Sequence, residues 1–373
     1  MSYGVLSTYP PTQCGLATFS RALVDALGSP QDSVGVVSIV DERETSEHAE
    51  VSHQWVRGDS QGPGAAAAAL NKYDVAIIQH EYGIFSGHDG ADVLHVARAL
   101  RVPSIVVLHT VLVTPTARQR AILEELVRQC STVVTMTETA RQRLIDYYAV
   151  DPALIRVIPH GAADNRGYRQ DRPAATAPVI LTWGLLGEGK GIEWAIEAMT
   201  QLRDLRPTYR VVGQTHPRIL ERHGERYRNS LVSRARQLDV EHAVHFDARY
   251  LETTELHGIV RQADVVLLPY DSREQVTSGV LIEAVTAGKP IVSTGFPHAR
   301  ELLSSGAGLV VERQHPAGIA AALRRVLTEP GLAARMAAEA NRIAPQLLWP
   351  AVARQYRAVA AQALRADPVL ASA

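Results

Sequence analysis

The sequence is 373 residues long, 46% hydrophobic and 21% charged, which is the composition of a water-soluble globular protein with room for two domains. Its 38 Lys and Arg residues against 39 Asp and Glu leave a net charge of -1, so no excess of positive charge exists to hold a nucleic acid by counterion release. The start "MSYGVLSTYPPTQ" lacks the basic end and apolar core of a secretory signal, and no apolar run approaches a bilayer span. The chain is therefore expected to be cytoplasmic, without a transmembrane segment and with peripheral membrane contact left open. Cys14 and Cys130 offer neither a disulfide framework nor a zinc-ligand spacing, and both read as reduced thiols.

In chain order, "GVLSTY", "SVGVVSIV", "DVAIIQH", "PSIVVLH", "STVVTM" and "IRVIPH" read as strands buried on both faces, as in a parallel sheet. The run "GPGAAAAALNKY" from Gly62 reads as a packed helix after a Gly-Pro start. A polar stretch from Asp164 to Pro178 interrupts the pattern, which resumes with "VILTWG", "YRVVG", "AVHF", "DVVLLPY", "PIVST" and "GLVV". Strand then helix, twice over, predicts two doubly wound α/β domains facing one another. The expected division is 1–165, 178–345 and a closing amphipathic helix within 346–373 that crosses back to the amino-terminal domain.

The stretch "WGLLGEGKGIEWAIEAM" from Trp183 places four glycines and Lys190 between a strand and a helix whose apolar stripe is Ile192, Ile196, Met199 and Leu202. At the carboxyl end of a strand, Gly184 lets the backbone turn and approach a ligand, the following helix start offers free N–H groups, and Lys190 adds a full charge. That combination suits a diphosphate; the plainer alternative is a turn whose lysine is merely solvated. Further on, "VTSGVLI" starts another helix, with Thr277 or Ser278 as a natural cap and Gly279 permitting close approach. Two strands end in histidine, His80 in "IIQHEYG" and His109 in "VVLHTV", and no His or Cys spacing predicts a metal site.

These segments, in this order, resemble the family-four glycosyltransferases, retaining enzymes with the GT-B fold of two Rossmann-like domains facing across a cleft. "ILTWGLLGEGKGIEWAIEAM", "VTMTETARQRL", "IRVIPHGAAD", "ADVVLLPYDSREQVTSGVLIEAVTAGKPIVST", "HARELL" and "LLWPAVARQY" carry the resemblance over nearly the whole chain. It implies transfer of a hexose from a nucleoside diphosphate sugar to a carbohydrate or other hydroxyl acceptor, with no cofactor and no metal. The absence of any Asp-x-Asp agrees. Lys190 matches the phosphate-binding lysine, Glu283 the glutamate that accepts from the ribose hydroxyls, and His109 the active-site histidine at the O6 side of the sugar. The backbone from Thr277 through Ser278, Gly279 and Val280 would meet the β-phosphate and the sugar. Gly15, beside Cys14, occupies the first glycine loop, and Arg249 and Tyr250 resemble the base-contacting region. His80 and Glu81 are expected to line the acceptor mouth, while Cys14 reads as a small apolar filler and not as a nucleophile.

Two positions depart from the family. Gln275 stands where the first glutamate of the Glu-x7-Glu pair belongs, and Leu185 where an arginine follows the strand glycine. An amide still hydrogen-bonds sugar hydroxyls but cannot stabilise an oxocarbenium charge as a carboxylate would. Arg273 or Arg249 is the expected replacement cation. The shared wording of "GQTHPRIL", "ERYRNSL" and "REQVTSG" points to a subgroup in which the first glutamate is replaced by glutamine. The competing readings are a nucleotide-sugar-binding protein with little catalysis and a UDP-sugar epimerase of the same architecture. A nicotinamide dehydrogenase is disfavoured because no strand leads into G-x-G-x-x-G with an acidic residue about 20 positions on. GDP, UDP and ADP all remain open as the base. Mannose and glucose both fit, and the His109-Thr110 wording favours mannose.

Overall fold

The computed structural model describes residues 1–43, 45–167 and 177–366, so the middle of the expected linker, 168–176, lies outside the described residues. The chain divides into two compact units. One comprises Met1–Gly161 and the chain from Trp349 onward; the other is Ala162–Leu348.

The first unit carries β1 (Ser2–Ser7), β2 (Ser33–Val40), β3 (Val51–Val56), β4 (Val75–His80), β5 (Ser104–Leu108), β6 (Thr132–Thr135) and β7 (Ile155–Val157). They form one parallel sheet in the order β3-β2-β1-β4-β5-β6-β7. Strands β4 and β5 are buried along their whole length, as their Val and Ile runs predict. The sequence reading missed β3, "VSHQWV". It is an edge strand whose burial fluctuates along its length, so it has no continuous apolar run to announce it. Its Trp55 lies against Gly62, where a Cβ would come within 2.4 Å of the indole, so glycine opens the alanine-rich helix Gly62–Leu70 for a packing reason. The closing helix Trp349–Ala366 sends Val352, Ala353, Tyr356 and Ala360 into the same core as Tyr3, Val5, Phe19 and Leu23.

The second unit carries β8 (Val179–Trp183), β9 (Thr208–Val212), β10 (Val244–Asp247), β11 (Val265–Leu268), β12 (Ile291–Thr294) and β13 (Gly308–Val311). These are again all parallel, in the order β10-β9-β8-β11-β12-β13. Alternate residues of the central strands serve opposite faces. Ile180, Tyr209, Val265 and Leu267 pack with Ile192, Ile196 and Met199, while Leu181, Val212, Val266 and Leu268 pack with Leu281, Ile282 and Val285. Pro345 lies inside Leu332–Leu347, two residues before its end, where it has no N–H to return to the carbonyl of Asn341. Among the described residues, no helix is long and apolar enough to cross a membrane.

Each sheet reverses its strand order once, between β1 and β4 and between β8 and β11, and ligands of such sheets bind at the carboxyl ends beside that reversal. The loop leaving β8 reaches its helix through Gly191, whose φ is +64° and whose added Cβ would lie 1.9 Å from the carbonyl oxygen of Pro269 after β11. Gly189 has a φ of +84° but open space around it. Gly189→Ala should therefore cost only the roughly 1–2 kcal/mol of a left-handed alanine, whereas Gly191→Ala adds an overlap worth about 1–3 kcal/mol more. Urea unfolding of the two variants checks this; equal midpoints would mean the close approach to Pro269 is not there.

Candidate functional site

In the second unit the chain leaves β8 at Trp183 and turns at Gly184, φ +115°. The loop after β9 turns at Gly213, φ +132°, where a Cβ would lie 2.2 Å from the Gly184 carbonyl oxygen. Two backbone bonds lace these loops together: Leu186 N–H donates to Gln214 O at 2.8 Å and His216 N–H to Leu186 O at 2.8 Å. Backbone approach explains glycine at 213 and the positive φ explains it at 184, where an added Cβ would meet only Val280 Cγ2 at 3.5 Å; neither needs a ligand. Lys190 is another matter.

The Lys190 ammonium lies 4.4 Å above the centre of the Tyr270 ring, a cation–π contact. Among the described residues it has no carboxylate and no hydrogen-bond acceptor. Burial lowers its pKa to about 8, which still leaves it charged at neutral pH. Its loop is pinned from β11: Asp271 N–H donates to Gly189 O at 2.9 Å, and Asp271 Oδ2 accepts from Trp194 Nε1 at 3.0 Å.

The helix Gly279–Thr286 follows β11. Ser278 caps it, its Oγ accepting from Leu281 N–H at 3.3 Å, while Ser278 N–H donates to the buried His298 Nδ1 at 2.8 Å. The N–H groups of Gly279 and Val280 have no acceptor among the described residues, as at any helix start, and so are open to an anion. Thr277, the other expected cap, leaves its Oγ1 buried without a partner. Glu283, on the first turns of the same helix, accepts from Trp183 Nε1 at 2.9 Å through Oε2, leaving Oε1 without a donor among the described residues. Burial raises the pKa of this carboxyl and the indole bond opposes the rise. Lys190, Glu283 and the backbone of 279–280 thus gather at the ends of β8 and β11, the reversal of the sheet.

Gln275 is half-buried and turned onto its own loop, Nε2 donating to Thr277 O at 3.1 Å. Arg273 and Tyr250 are exposed. Arg249 is exposed as well, its guanidinium held by Asp247 at 2.7 Å and Glu255 at 2.9 Å. Both ion pairs engage Nε and Nη2 of the guanidinium.

In the first unit, His109 is bonded through Nε2 to Gln79 Oε1 at 2.8 Å and lies edge-on to Phe19, ring centres 4.8 Å apart. Burial, then the neighbouring His160 and His80, hold its pKa well below the ordinary histidine value. His80 is fully buried between Tyr82 and Phe85, pushed by burial to about 4, and both its ring nitrogens lack partners. It does not reach the surface, so at this strand end Glu81 is the half-buried group, accepting from Thr110 Oγ1 at 2.5 Å and Tyr82 N–H at 3.1 Å. Gly15 is exposed, with nothing within 4 Å of an added Cβ. Cys14 is more than a filler: its thiol caps the helix Gly15–Leu27, accepting from Ala17 N–H at 3.3 Å, and contacts Thr8 Oγ1 at 3.3 Å.

Sequence reasoning did not single out Trp183, Tyr270, His298, Gln79 or His160. Each stands at or just beyond a strand's carboxyl end, and that position is the signal that was available. His160 adds a third ring beside Phe19, at 4.9 Å, and donates from Nδ1 to Gly161 O at 2.7 Å. Among the described residues no group of three or more His, Cys, Asp or Glu side chains is placed to hold a metal ion.

Comparison with known proteins extends this picture. Glycogen synthase of Mycobacterium tuberculosis is 30% identical over 233 residues, covering 61% of this chain and 53% of that protein. D-inositol 3-phosphate glycosyltransferase of Kineococcus radiotolerans is 29% identical over 252 residues, covering 62% and 57%. The chain thus spans little more than half the length of these curated relatives. In structure, Anabaena Alr3699/HepE in complex with UDP superposes with a TM-score of 0.77 at 18% identity, over 97% of this chain and 100% of that one. Sucrose-phosphate synthase of Thermosynechococcus elongatus gives 0.76 at 17%, over 98% and 100%. These likenesses establish the GT-B fold. Residues 14–166 match Glycosyltransferase Family 4, residues 166–343 match Glycosyl transferases group 1, and the chain accordingly carries the paired domains of a family-four-type glycosyltransferase.

Proposed function

We propose that this chain is a retaining, metal-independent transferase that moves a hexose, mannose or glucose, from a nucleoside diphosphate sugar to an acceptor hydroxyl, within a subgroup that has glutamine at the first glutamate position. One observation carries the reading: among the described residues, an ammonium without a counter-ion, two helix-start N–H groups without acceptors and a carboxylate oxygen without a donor gather at the β8/β11 reversal. The first two suit a diphosphate, and the third suits ribose hydroxyls. The UDP and UDP-glucose complexes of Anabaena HepE support a nucleotide sugar as donor. Relatives named glycogen synthase, D-inositol 3-phosphate glycosyltransferase and mannosylfructose-phosphate synthase support hexose transfer and differ in acceptor.

In the transfer, the bond from the anomeric carbon to the β-phosphate oxygen breaks, and a bond from that carbon to the acceptor oxygen forms on the same face. The acceptor's proton ends on the departing diphosphate. Charge therefore grows on the leaving group, where Lys190 and the N–H groups of Gly279 and Val280 would meet it without reorganising. His109, neutral at working pH, would hydrogen-bond to the sugar and carry no charge to it. Gln275 would do the same through its amide, and Glu81 would border the acceptor, with His80 buried behind it.

The pKa of Lys190 sets a pH signature. A diphosphate binds the charged form, which dominates below about pH 8 and is lost above it. UDP or GDP affinity should therefore fall about tenfold between pH 7 and pH 9 in the wild type. In Lys190→Met, affinity should be at least about tenfold lower at pH 7 and flat over that range; an equally steep profile in the variant would remove Lys190 from the role.

Thermal unfolding with saturating UDP-glucose, GDP-mannose, GDP-glucose or ADP-glucose should raise the melting temperature by a few degrees for the cognate donor alone. No shift with any of the four, together with no sugar transfer from them, would overturn the proposal.

A further inference from the structure

We infer that His216 is a second hydrogen-bond donor to the donor diphosphate, working beside Lys190 at the place where Leu185 leaves no cation. The inference rests on the nucleotide-sugar reading of the second unit and adds a residue to it.

His216 sits on the loop after β9 that is laced to the lysine loop, its own N–H bonded to Leu186 O at 2.8 Å. Its ring is half-buried, and Nδ1 accepts from the backbone N–H of Arg218 at 3.2 Å. A ring nitrogen that accepts carries no proton, so the neutral imidazole must hold its proton on Nε2. That Nε2–H has no acceptor among the described residues. Lys190 is near enough to act on the ring: burial, then the charges of Arg218 and Lys190, lower the His216 pKa. Two donors on laced loops, neither with an acceptor, are what a bound anion would satisfy.

The loop is also braced. Arg228 is buried and donates from Nη2 to Gly213 O at 2.7 Å and from Nε to Glu225 Oε2 at 3.2 Å. Glu225 Oε2 in turn accepts from the Thr215 hydroxyl. The residue immediately before His216 is thus tied to a carboxylate and an arginine, and the turn at Gly213 to the same arginine. Such bracing holds the imidazole in one direction. Arg228, Glu225 and Thr215 are positioning residues here; His216 is the one that touches the ligand.

Substitution separates this role from a purely structural one. Glutamine places an N–H where Nε2 is, whereas asparagine reproduces the capping position of Nδ1 and is the better helix cap. Calorimetric titration at pH 7.5 with UDP, GDP and ADP should show His216→Gln binding the preferred nucleotide within about threefold of wild type. His216→Asn and His216→Ala should lose about tenfold or more, the value of a hydrogen bond to a charged group. A structural role reverses the order, with His216→Asn at or above His216→Gln in affinity and in melting temperature, and that result overturns the inference. So does unchanged binding in His216→Ala while Lys190→Met is weakened, and this outcome leaves the nucleotide-sugar reading standing. A wild-type protein that binds none of the three nucleotides overturns both.

Discussion

A positive charge kept partly buried, with no counter-ion among the described residues, is the constraint around which the second unit is arranged. Moving the Lys190 pKa from 10.5 to about 8 corresponds to roughly 3 kcal/mol against the charged form. The face of Tyr270 returns about 1 kcal/mol of that. A carboxylate at Lys190 would have offset the rest, and Asp271 of the β11 loop instead accepts through Oδ2 from Trp194 Nε1. The folded unit therefore carries a cost that an anionic ligand would relieve. Phe296 stacks on Tyr270 at 5.4 Å and keeps its ring in place, so the cation cannot escape by displacing its platform.

The same constraint fixes the backbone around it. To bring Lys190 back over β11, the chain must pass within contact of Pro269, which only Gly191 permits, and the β8 and β9 loops must touch at Gly184 and Gly213. Gly191 and Gly213 thus serve close backbone packing and Gly184 a positive φ, and the proposed anion site lies beside them. Glycine-rich strand-to-helix loops are ambiguous in a sequence for this reason: backbone contact and ligand contact call for the same residue.

Most of the architecture was legible because parallel strands buried on both faces are written as unbroken apolar runs. "DVAIIQH" and "DVVLLPY" leave no other reading, and twelve of the strand segments could be placed from such runs. The exception, β3, is an edge strand carrying Ser52, His53 and Gln54, and an edge lacks the second buried face that makes the signal. At the site, Lys190, Ser278 and Glu283 were legible because each lies within one short motif. The partners that give them their properties were not: Trp183 meets Glu283 across 100 residues of chain and His298 meets Ser278 across 20. No periodicity encodes those pairs. Arg249 failed to be legible in the opposite sense, since Asp247 and Glu255, which hold it, stand in plain view two and six residues away.

The two units differ in how burial treats their polar groups, and the difference has a chemical logic. In the first, His80, His109 and His160 lie near one another at the ends of β4, β5 and β7, and desolvation holds all three below the ordinary histidine pKa. Such rings are uncharged near neutral pH, and under the proposed function a cation among them would draw phosphate to the side meant for hydroxyls. In the second, burial lowers Lys190 only to about 8 and leaves it charged at neutral pH, as the proposed diphosphate would require. His216 then contributes direction where Lys190 contributes charge: a proton fixed on one nitrogen by the backbone, beside an ammonium free to rotate. Where Leu185 removes the planar, rigid donor of an arginine, a point charge plus a separately oriented donor restores both properties from two residues.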